Sequence, residues 1–516
     1  MNNADIRIGK DRAVLVRAVN WIGDAVMTIP ALRAFRRSVP GSELSMLVKP
    51  WVAPIFAKDP DIHEILPYSE AYRGFRGRFA LANELKERSF CMSILFQNAF
   101  DAALISFLAR IPRRIGYSRD GRGWLLTDPV PFDAKAKAMH HIDYYLNLVR
   151  KAGFNAPPDI PWLFIELQER LAARSLMKHL SRPVVGINPG ATYGSSKRWH
   201  PERFAEVARR VIEQLGGSVV LLGGPSERAI ADEIVSNMDN AIMTGSTFLD
   251  LAGNTTLRQL MAVISECDML VTNDSGPMHI GYAVGTPVTA IFGSTSPEAT
   301  GPVGSADIVI RHKTECSPCF RRECRKKSLE CMDLITADEV YESVVKLTRK
   351  KRAVFFDRDG TLCRDAHFLN RMADLEIFPA IDSLPRLKEG NFSLIGISNQ
   401  SGIARGLVDE EFTKSVNRIF MEQYGFEGFY YCPHHPDDHC SCRKPQPGML
   451  IRAGNEHSID LRQSFYVGDK EDDMILAKAA GMKGILVRTG KAQSSEYADA
   501  IADDLNAVTG FILDNA

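Results

Sequence analysis

At 516 residues the chain has room for about three domains, taking roughly 150 residues for each. Hydrophobic residues make up 45% and charged residues 24%, as in ordinary folded protein, and 63 basic residues are matched by 63 acidic ones, so the overall charge does not point to nucleic acid. The opening MNNADIRIGKDR lacks the apolar centre of a signal peptide and no run approaches the ~18 apolar residues of a membrane span, so a cytoplasmic protein, or one peripheral to a membrane, is expected. In that compartment the ten cysteines favour thiols or metal ligands over disulfides; eight of them follow residue 300, and seven of those fall into two tight clusters.

Short β-branched runs alternate with amphipathic stretches along the whole chain, the pattern of α/β units around parallel sheets. Ala13–Arg17 reads as a first strand, residues 20–24 (NWIGD) as a loop, and a helix follows from about Ala25. Trp21 is too large for a phosphate-cradling turn, which excludes a dinucleotide fingerprint. Asp24 suits two roles, an N-cap aspartate or a lone carboxylate facing a cleft between two sheets. Further on, YRGFRGRF sets Arg73, Arg76 and Arg78 among aromatics, either as a solvated face or as a surface for an anionic partner. Met92–Phe96 reads as another strand, and the text turns proline-rich near Pro157–Pro161.

A second group of strands is expected at Pro183–Asn188, Val219–Leu222, Met269–Thr272 and Val288–Phe292. Asn188-Pro-Gly-Ala-Thr192 and then Lys197-Arg-Trp199 follow the first of these. Thr272-Asn-Asp274-Ser275-Gly276-Pro-Met-His279 runs from strand through loop to helix, where the Ser275 and Gly276 amides would form an anion site or simply a capped helix start. Cys316-x2-Cys319-x4-Cys324-x6-Cys331 fits Zn²⁺ or a cluster, and equally an ion-free reduced loop.

After the basic run Arg349–Arg352 a third group opens, with strands at Ala353–Asp357, Leu394–Ser398 and Phe465–Asp469 that end in polar residues. Functional groups of open α/β sheets collect beyond such carboxyl ends. Asp357 and Asp359, two residues apart, can divide labour between attack on phosphorus and proton transfer. Gly360 permits a tight turn and Thr361 offers a hydrogen bond. Ser398 offers a hydroxyl to a phosphoryl oxygen, Lys444 a compensating charge, and Asp469 with Asp473 an oxygen-rich site suited to Mg²⁺. Cys432-x-His434-x5-Cys440-x-Cys442 is a closed four-ligand set of the kind that holds structural Zn²⁺, with His435 and His439 as less well-spaced alternatives. Three Rossmann-like layers are expected, roughly 1–170, 171–345 and 350–516.

Residues 350–510 resemble the haloacid dehalogenase superfamily, and within it the group of heptose bisphosphate and histidinol phosphatases. The resemblance implies Asp357 as nucleophile and Asp359 as general acid/base. It also implies Ser398 and Lys444 as phosphate binders, Asp357, Asp469 and the Asp359 carbonyl as Mg²⁺ ligands, Asp473 as an orienting carboxylate, and Asn399, Gln400 and Arg443 as substrate contacts. The short spacer between His434 and Cys440 is shared with histidinol phosphatases, so this region does not choose its own substrate.

NWIGD, NPGATYGSSKRW, LAGNTTLRQL and TNDSGPMHIG occur in an order that resembles the lipopolysaccharide heptosyltransferases of glycosyltransferase family nine, over about residues 10–345. This implies two facing Rossmann domains (the GT-B fold), an ADP-heptose donor, a phosphorylated inner-core lipid A acceptor and inversion at the anomeric carbon without a catalytic metal. Asp24 becomes the base. Thr192, Lys197, His279 and the Ser275 and Gly276 amides face the leaving ADP, and Glu227 and Asp274 touch the nucleoside or order its loop. Arg73, Arg76 and Arg78 then meet the anionic acceptor at the membrane surface. With heptose 1,7-bisphosphate as phosphatase substrate, both activities serve one pathway. The alternatives are a histidinol-phosphate phosphatase or a non-catalytic scaffold in the last domain.

Overall fold

The computed structural model describes residues 13–326, 328–438 and 440–515. The polar N-terminal stretch and His439 of the sequence reading lie outside the described residues. Two compact units divide between Lys346 and Leu347; the first contains two sheets and the second one.

The first sheet is built from β1 (Ala13–Arg17), β2 (Glu43–Val48), β3 (Glu64–Pro67), β4 (Met92–Leu95), β5 (Arg113–Ser118) and β6 (Asp128–Pro131). The second takes β7 (Val184–Asn188), β8 (Ser218–Leu221), β9 (Phe248–Asp250), β10 (Met269–Asn273), β11 (Val288–Ile291) and β12 (Ile308–Ile310). In the second unit the strands are β13 (Arg352–Asp357), β14 (Phe392–Asn399), β15 (Gly428–Cys432), β16 (Phe465–Gly468), β17 (Lys483–Val487) and β18 (Ala500–Ala502). Counted within each sheet, all three have the order 3-2-1-4-5-6, and the strand pairs are parallel. The expected α/β class with Rossmann-like sheets is therefore found.

This order creates one switch point per sheet, between strands 1 and 4, where the loops diverge to opposite faces and leave a crevice. β1 and β4, β7 and β10, and β13 and β16 are those pairs. Their sequences explain their central place: Val14, Leu15 and Val16, Val184 and Val185, and Ala353 to Phe356 are almost wholly buried, as strands covered by helices on both faces require. The edge strands read differently. β6 contains Pro129 and Pro131, tolerable only where no neighbour needs the missing N–H, and in β3 Leu66 alone is buried.

Helix Ile22–Ser38, which follows β1, begins three residues before the expected Ala25, with Trp21 as its N-cap and no side-chain cap. Asp24 thus stands inside the first turn and is not an N-cap. Helix Gly276–Val284 likewise begins uncapped: the Ser275 hydroxyl turns to Thr272 and Asn188 at 3.2 and 3.4 Å. These two helices pack together, and one apolar cluster runs from Val14 and Met27 through Met278 and Phe292, joining the two sheets of the first unit. Among the described residues no helix is long and apolar enough to cross a membrane.

Candidate active sites

In the first unit both switch-point crevices open onto the same cleft. A Cβ added to Gly276 would lie 3.1 Å from Ile22 Cγ2 and 3.9 Å from the Gly23 amide nitrogen. Two uncapped helix N-termini therefore meet across the lobes, each with unsatisfied N–H groups and the positive end of a helix dipole. A Cβ on Gly23 would sit 2.6 Å from the His279 ring, so glycine there lets the imidazole of the second lobe rest against the first.

His279 is buried, and its Nδ1 lies 2.9 Å from the Tyr282 hydroxyl. Burial pushes its pKa down to about 4, although Asp274 and Asp24 both pull it upward. The ring is thus neutral at pH 7 and offers a hydrogen bond, not a charge. Since the folded value lies below the unfolded one of about 6.5, the unfolded chain takes up the proton first, and stability is lost as pH falls from about 6.5 toward 4. A His279→Gln chain should lose less stability than wild type between pH 7 and pH 5 in urea unfolding; equal losses would show that this site does not contribute.

Asp24 is half-buried, with Oδ1 3.3 Å from His141 Nδ1. His141, at the start of helix His141–Lys151, was missed in the sequence reading; the His140-His141 pair was the available signal. The adjacent His140 bridges the lobes, its Nε2 3.0 Å from the Gly301 carbonyl. On the second-lobe side Lys197 Nζ stands 2.5 Å from Asp274 Oδ2, which also accepts from the Thr295 hydroxyl at 2.5 Å. Asp274 thus orders the Lys197 loop. Glu227 Oε2 accepts from the Gly224 amide at 2.8 Å, and a Cβ on Gly190 would fall 1.8 Å from Glu227 Oε1, so this glycine is required where the loops after β7 and β8 touch. Thr192 is exposed on the rim. Arg73 and Arg78 face Glu70 and Asp101 at 3.8 Å each, while Arg76 is exposed next to Phe75.

In the second unit, Asp357, Asp469 and Asp473 converge on the β13/β16 switch point with carboxylate oxygens within 4.8 Å of one another. Lys444 Nζ is 2.7 Å from both Asp357 Oδ1 and Asp473 Oδ1. Burial opposes the charge on Lys444, but the two carboxylates hold its pKa well above the ordinary lysine range. Burial likewise opposes the charge on Asp357, yet Lys444 and Lys470 keep its pKa low. Asp469 goes the other way, pushed up to about 7 by burial and then by Asp357.

Lys470 was not anticipated, and its position is informative. Its ammonium lies 3.2 Å from the Asp359 carbonyl, 3.4 Å from Asp469 Oδ1 and 3.6 Å from Asp357 Oδ2. These are atoms of the three groups expected to hold Mg²⁺. Asp357 Oδ2 and Asp469 Oδ1 are also buried with no hydrogen-bond donor on them. Oxygens left this way call for a cation, so the residues fit the metal. Gly360, with φ +95°, makes room: a Cβ there would strike Asp469 Oδ2 at 2.4 Å.

Asp359 turns its carboxylate to the fully buried Arg358, which holds Oδ1 and Oδ2 at 3.1 and 3.0 Å. Gln400 donates to Asp359 Oδ2 at 2.7 Å, and Ser398 does so at 3.3 Å. Arg358, too, was missed by sequence reasoning. The Asn399 amide pairs with the Lys444 backbone in both directions, 3.1 and 3.3 Å, so it braces the lysine loop. Arg443 leaves Nη1 buried without a hydrogen-bond partner, and it lines a cavity of about 270 Å³ with Asp357, Asp359, Ser398, Lys444 and Lys491. Thr361 Oγ1 is buried without a partner.

Cys432, His434, Cys440 and Cys442 converge with all ligand atoms within 4.8 Å, His434 through Nδ1. The Cys432–Cys440 and Cys440–Cys442 sulfur separations are both 3.4 Å, near the ~3.8 Å edge of a Zn–S tetrahedron. Hydrogen bonds with Cys432 and Cys440 raise His434 to about 10. His435 instead faces Asp437 at 3.4 Å. Because the set ends one residue before Arg443, an ion there would anchor the segment bearing Arg443 and Lys444.

The sequence profile of glycosyltransferase family 9 (heptosyltransferase) matches residues 78–330, and that of the HAD-hydrolase-like family matches 441–508. Lipopolysaccharide heptosyltransferase 2 of Salmonella typhimurium is 30% identical over 307 residues, covering 58% of this chain and 87% of that protein. The structure of the E. coli ADP-heptose lps heptosyltransferase II is similar with a TM-score of 0.56 and 27% identity, over 65% of this chain and 98% of that one. The D-glycero-beta-D-manno-heptose-1,7-bisphosphate 7-phosphatase of Photorhabdus laumondii is 41% identical over 169 residues, covering 30% of this chain and 89% of that protein. Both resemblances read from the motifs are thereby borne out: the chain belongs to the glycosyltransferase family 9 heptosyltransferases in its first unit and to the HAD-like heptose bisphosphate phosphatases in its second.

Proposed function

We propose that the chain is a bifunctional enzyme of lipopolysaccharide core biosynthesis. It transfers heptose from ADP-heptose to the lipid A inner core and hydrolyses the 7-phosphate of heptose 1,7-bisphosphate. The observation that carries this is the joining, in one chain, of a unit related to heptosyltransferases with a unit related to heptose bisphosphate phosphatases. The same observation favours the heptose substrate over histidinol phosphate.

In this reading residues 1–170 form the acceptor lobe, 171–345 the donor lobe and 350–516 the phosphatase. Asp24 takes the proton from the acceptor hydroxyl as its oxygen attacks the anomeric carbon; the bond to the ADP oxygen breaks on the opposite face, inverting the centre. Lys197, Thr192, the Ser275 and Gly276 amides and neutral His279 receive the departing diphosphate, while Asp274 and Glu227 hold their loops. The protein works in the cytoplasm, at the membrane surface that carries the acceptor. Charge reversal of Arg73, Arg76 and Arg78 together should raise the acceptor KM about tenfold, most at low salt, and leave ADP binding unchanged. Unchanged acceptor kinetics would remove the role.

In the second unit Asp357 attacks the 7-phosphorus while Asp359 protonates the leaving sugar oxygen; Asp359 then takes a proton from the water that cleaves the aspartyl phosphate. Mg²⁺ held by Asp357, Asp469 and the Asp359 carbonyl would offset phosphoryl charge. Lys444 and Ser398 bind the transferring group, Arg443 meets the substrate's remaining anion, Asn399 and Asp473 orient Lys444, and structural Zn²⁺ at Cys432, His434, Cys440 and Cys442 shapes the loop. Turnover of heptose 1,7-bisphosphate against histidinol phosphate by the full chain tests this half, and strong preference for histidinol phosphate would overturn it. ADP release from ADP-heptose that depends on a heptose-deficient lipid A acceptor tests the other.

A further inference from the structure

The segment 311–329, between β12 and helix Glu330–Asp333, forms no helix or strand among its described residues. It has little apolar core of its own, and Phe320 is 56% exposed. Loops of this length without regular structure are uncommon in compact lobes and usually have a function. This one is nonetheless firmly docked. The Ser196 amide donates to the Arg322 carbonyl at 3.1 Å, the Tyr193 hydroxyl to the Phe320 carbonyl at 2.7 Å, and the Cys319 and Phe320 amides to the Ser294 carbonyl at 3.1 and 2.8 Å. A Cβ on Gly194 would lie 2.2 Å from the Arg322 carbonyl oxygen. All these partners lie on the loop that presents Lys197 or just after β11, so the segment is the outer wall of the donor-phosphate loop.

Cys316, Cys319, Cys324 and Cys331 line one cavity of about 20 Å³ in that wall, together with Ser196 and Ser294. That is room for a single water-sized species. The four are free thiols. Unlike the Cys432 set, they are not gathered within 4.8 Å of one another. Cys324 Sγ rests 3.5 Å from the Ser328 carbonyl and Cys316 Sγ 3.8 Å from the Thr314 hydroxyl, weak contacts easily exchanged for a metal bond.

We propose that Cys316, Cys319, Cys324 and Cys331 bind one thiophilic divalent ion, zinc or iron, which ties segment 311–331 against the Lys197 loop. Four thiolates select such an ion over Mg²⁺ and leave no open position, so its role is structural. Two negative charges remain on the complex, and Arg321, Arg322, Arg325 and Lys326 in the same segment offset them. The ion supplies the cross-link that this core-poor segment lacks, and it acts on the transferase by positioning Lys197. The metal content is independent of the proposed donor site, whereas the effect on KM rests on it.

The full chain, purified without chelator, should contain two zinc or iron ions per chain by elemental mass spectrometry. Cys319→Ser/Cys324→Ser should retain one, and so should Cys440→Ser/Cys442→Ser. Should a variant fail to fold, Co²⁺ titration of the metal-stripped wild-type chain still reads the site, with thiolate-to-cobalt absorption saturating at two equivalents. A Cys319→Ser/Cys324→Ser chain that holds as many ions as wild type, or a disulfide among these cysteines by thiol counting, would overturn the site. In Cys319→Ser/Cys324→Ser the KM for ADP-heptose should rise at least about fivefold with kcat changed less, and phosphatase turnover should be unaltered. A lost ion with an unchanged KM would overturn the brace and leave the site. Absence of donor turnover in wild type would count against the transferase reading alone, since the ion count does not depend on it.

Discussion

Asp357→Asn should lower release of phosphate from heptose 1,7-bisphosphate by at least about 10⁴-fold, because the amide cannot form the aspartyl phosphate. The change is nearly isosteric, so the fold should persist. Lys444, 2.7 Å from the lost charge, keeps Asp473 at the same distance, and Lys470 keeps Asp469 at 3.4 Å, so neither buried ammonium is left without a counter-ion. Transferase activity should be unchanged, which separates loss of chemistry from loss of protein. Turnover within about tenfold of wild type would refute Asp357 as nucleophile, since no other carboxylate at the site could replace it so fully.

Asp24→Asn should lower heptose transfer by roughly 10²–10⁴-fold, the usual contribution of a positioned general base. The KM for ADP-heptose should change little, because the groups expected to hold the diphosphate lie elsewhere: Lys197 on the loop after β7 and the amides of Ser275 and Gly276 on helix Gly276–Val284. His141, 3.3 Å from Asp24, orients the carboxylate. If Asp24 instead served the helix start alone, the thermal midpoint would fall while kcat stayed near wild type. Steady-state kinetics with a heptose-deficient acceptor, alongside a melting curve, distinguish the two.

Much of this architecture was legible in the chain. Ala13–Arg17, Pro183–Asn188 and Ala353–Asp357 read as buried strands because parallel strands covered on both faces are continuous apolar runs, and each falls within one residue of its observed bounds. The short edge strands, such as β9 (Phe248–Asp250) and β18 (Ala500–Ala502), carry three residues apiece and no such signal. The start of helix Ile22–Ser38 is not legible in the sequence, because Trp21 supplies no cap signature.

The site residues divide in the same way. Acids at strand ends, the DxD and GDxxxD spacings and the CxH…CxC ligand set announce chemistry locally, because each needs its members a few residues apart. What the sequence by itself determined was therefore the pair of families, the sheet class and which carboxylates and thiols are candidates for the chemistry. Only the tertiary structure decided who stands beside whom. It set Lys470 among the oxygens of Asp357, Asp359 and Asp469, gave Arg358 to Asp359 and His141 to Asp24, and spread Cys316 to Cys331 along the wall of the Lys197 loop. Several of these pairings join residues far apart in the chain, and even the near ones depend on which way a loop turns. Both depend on the closing of sheets and lobes, so local pattern cannot reveal them. The two uncapped helix starts at Ile22 and Gly276 show this most clearly: they lie more than 250 residues apart in the sequence, and only the packing of the lobes brings them to one cleft.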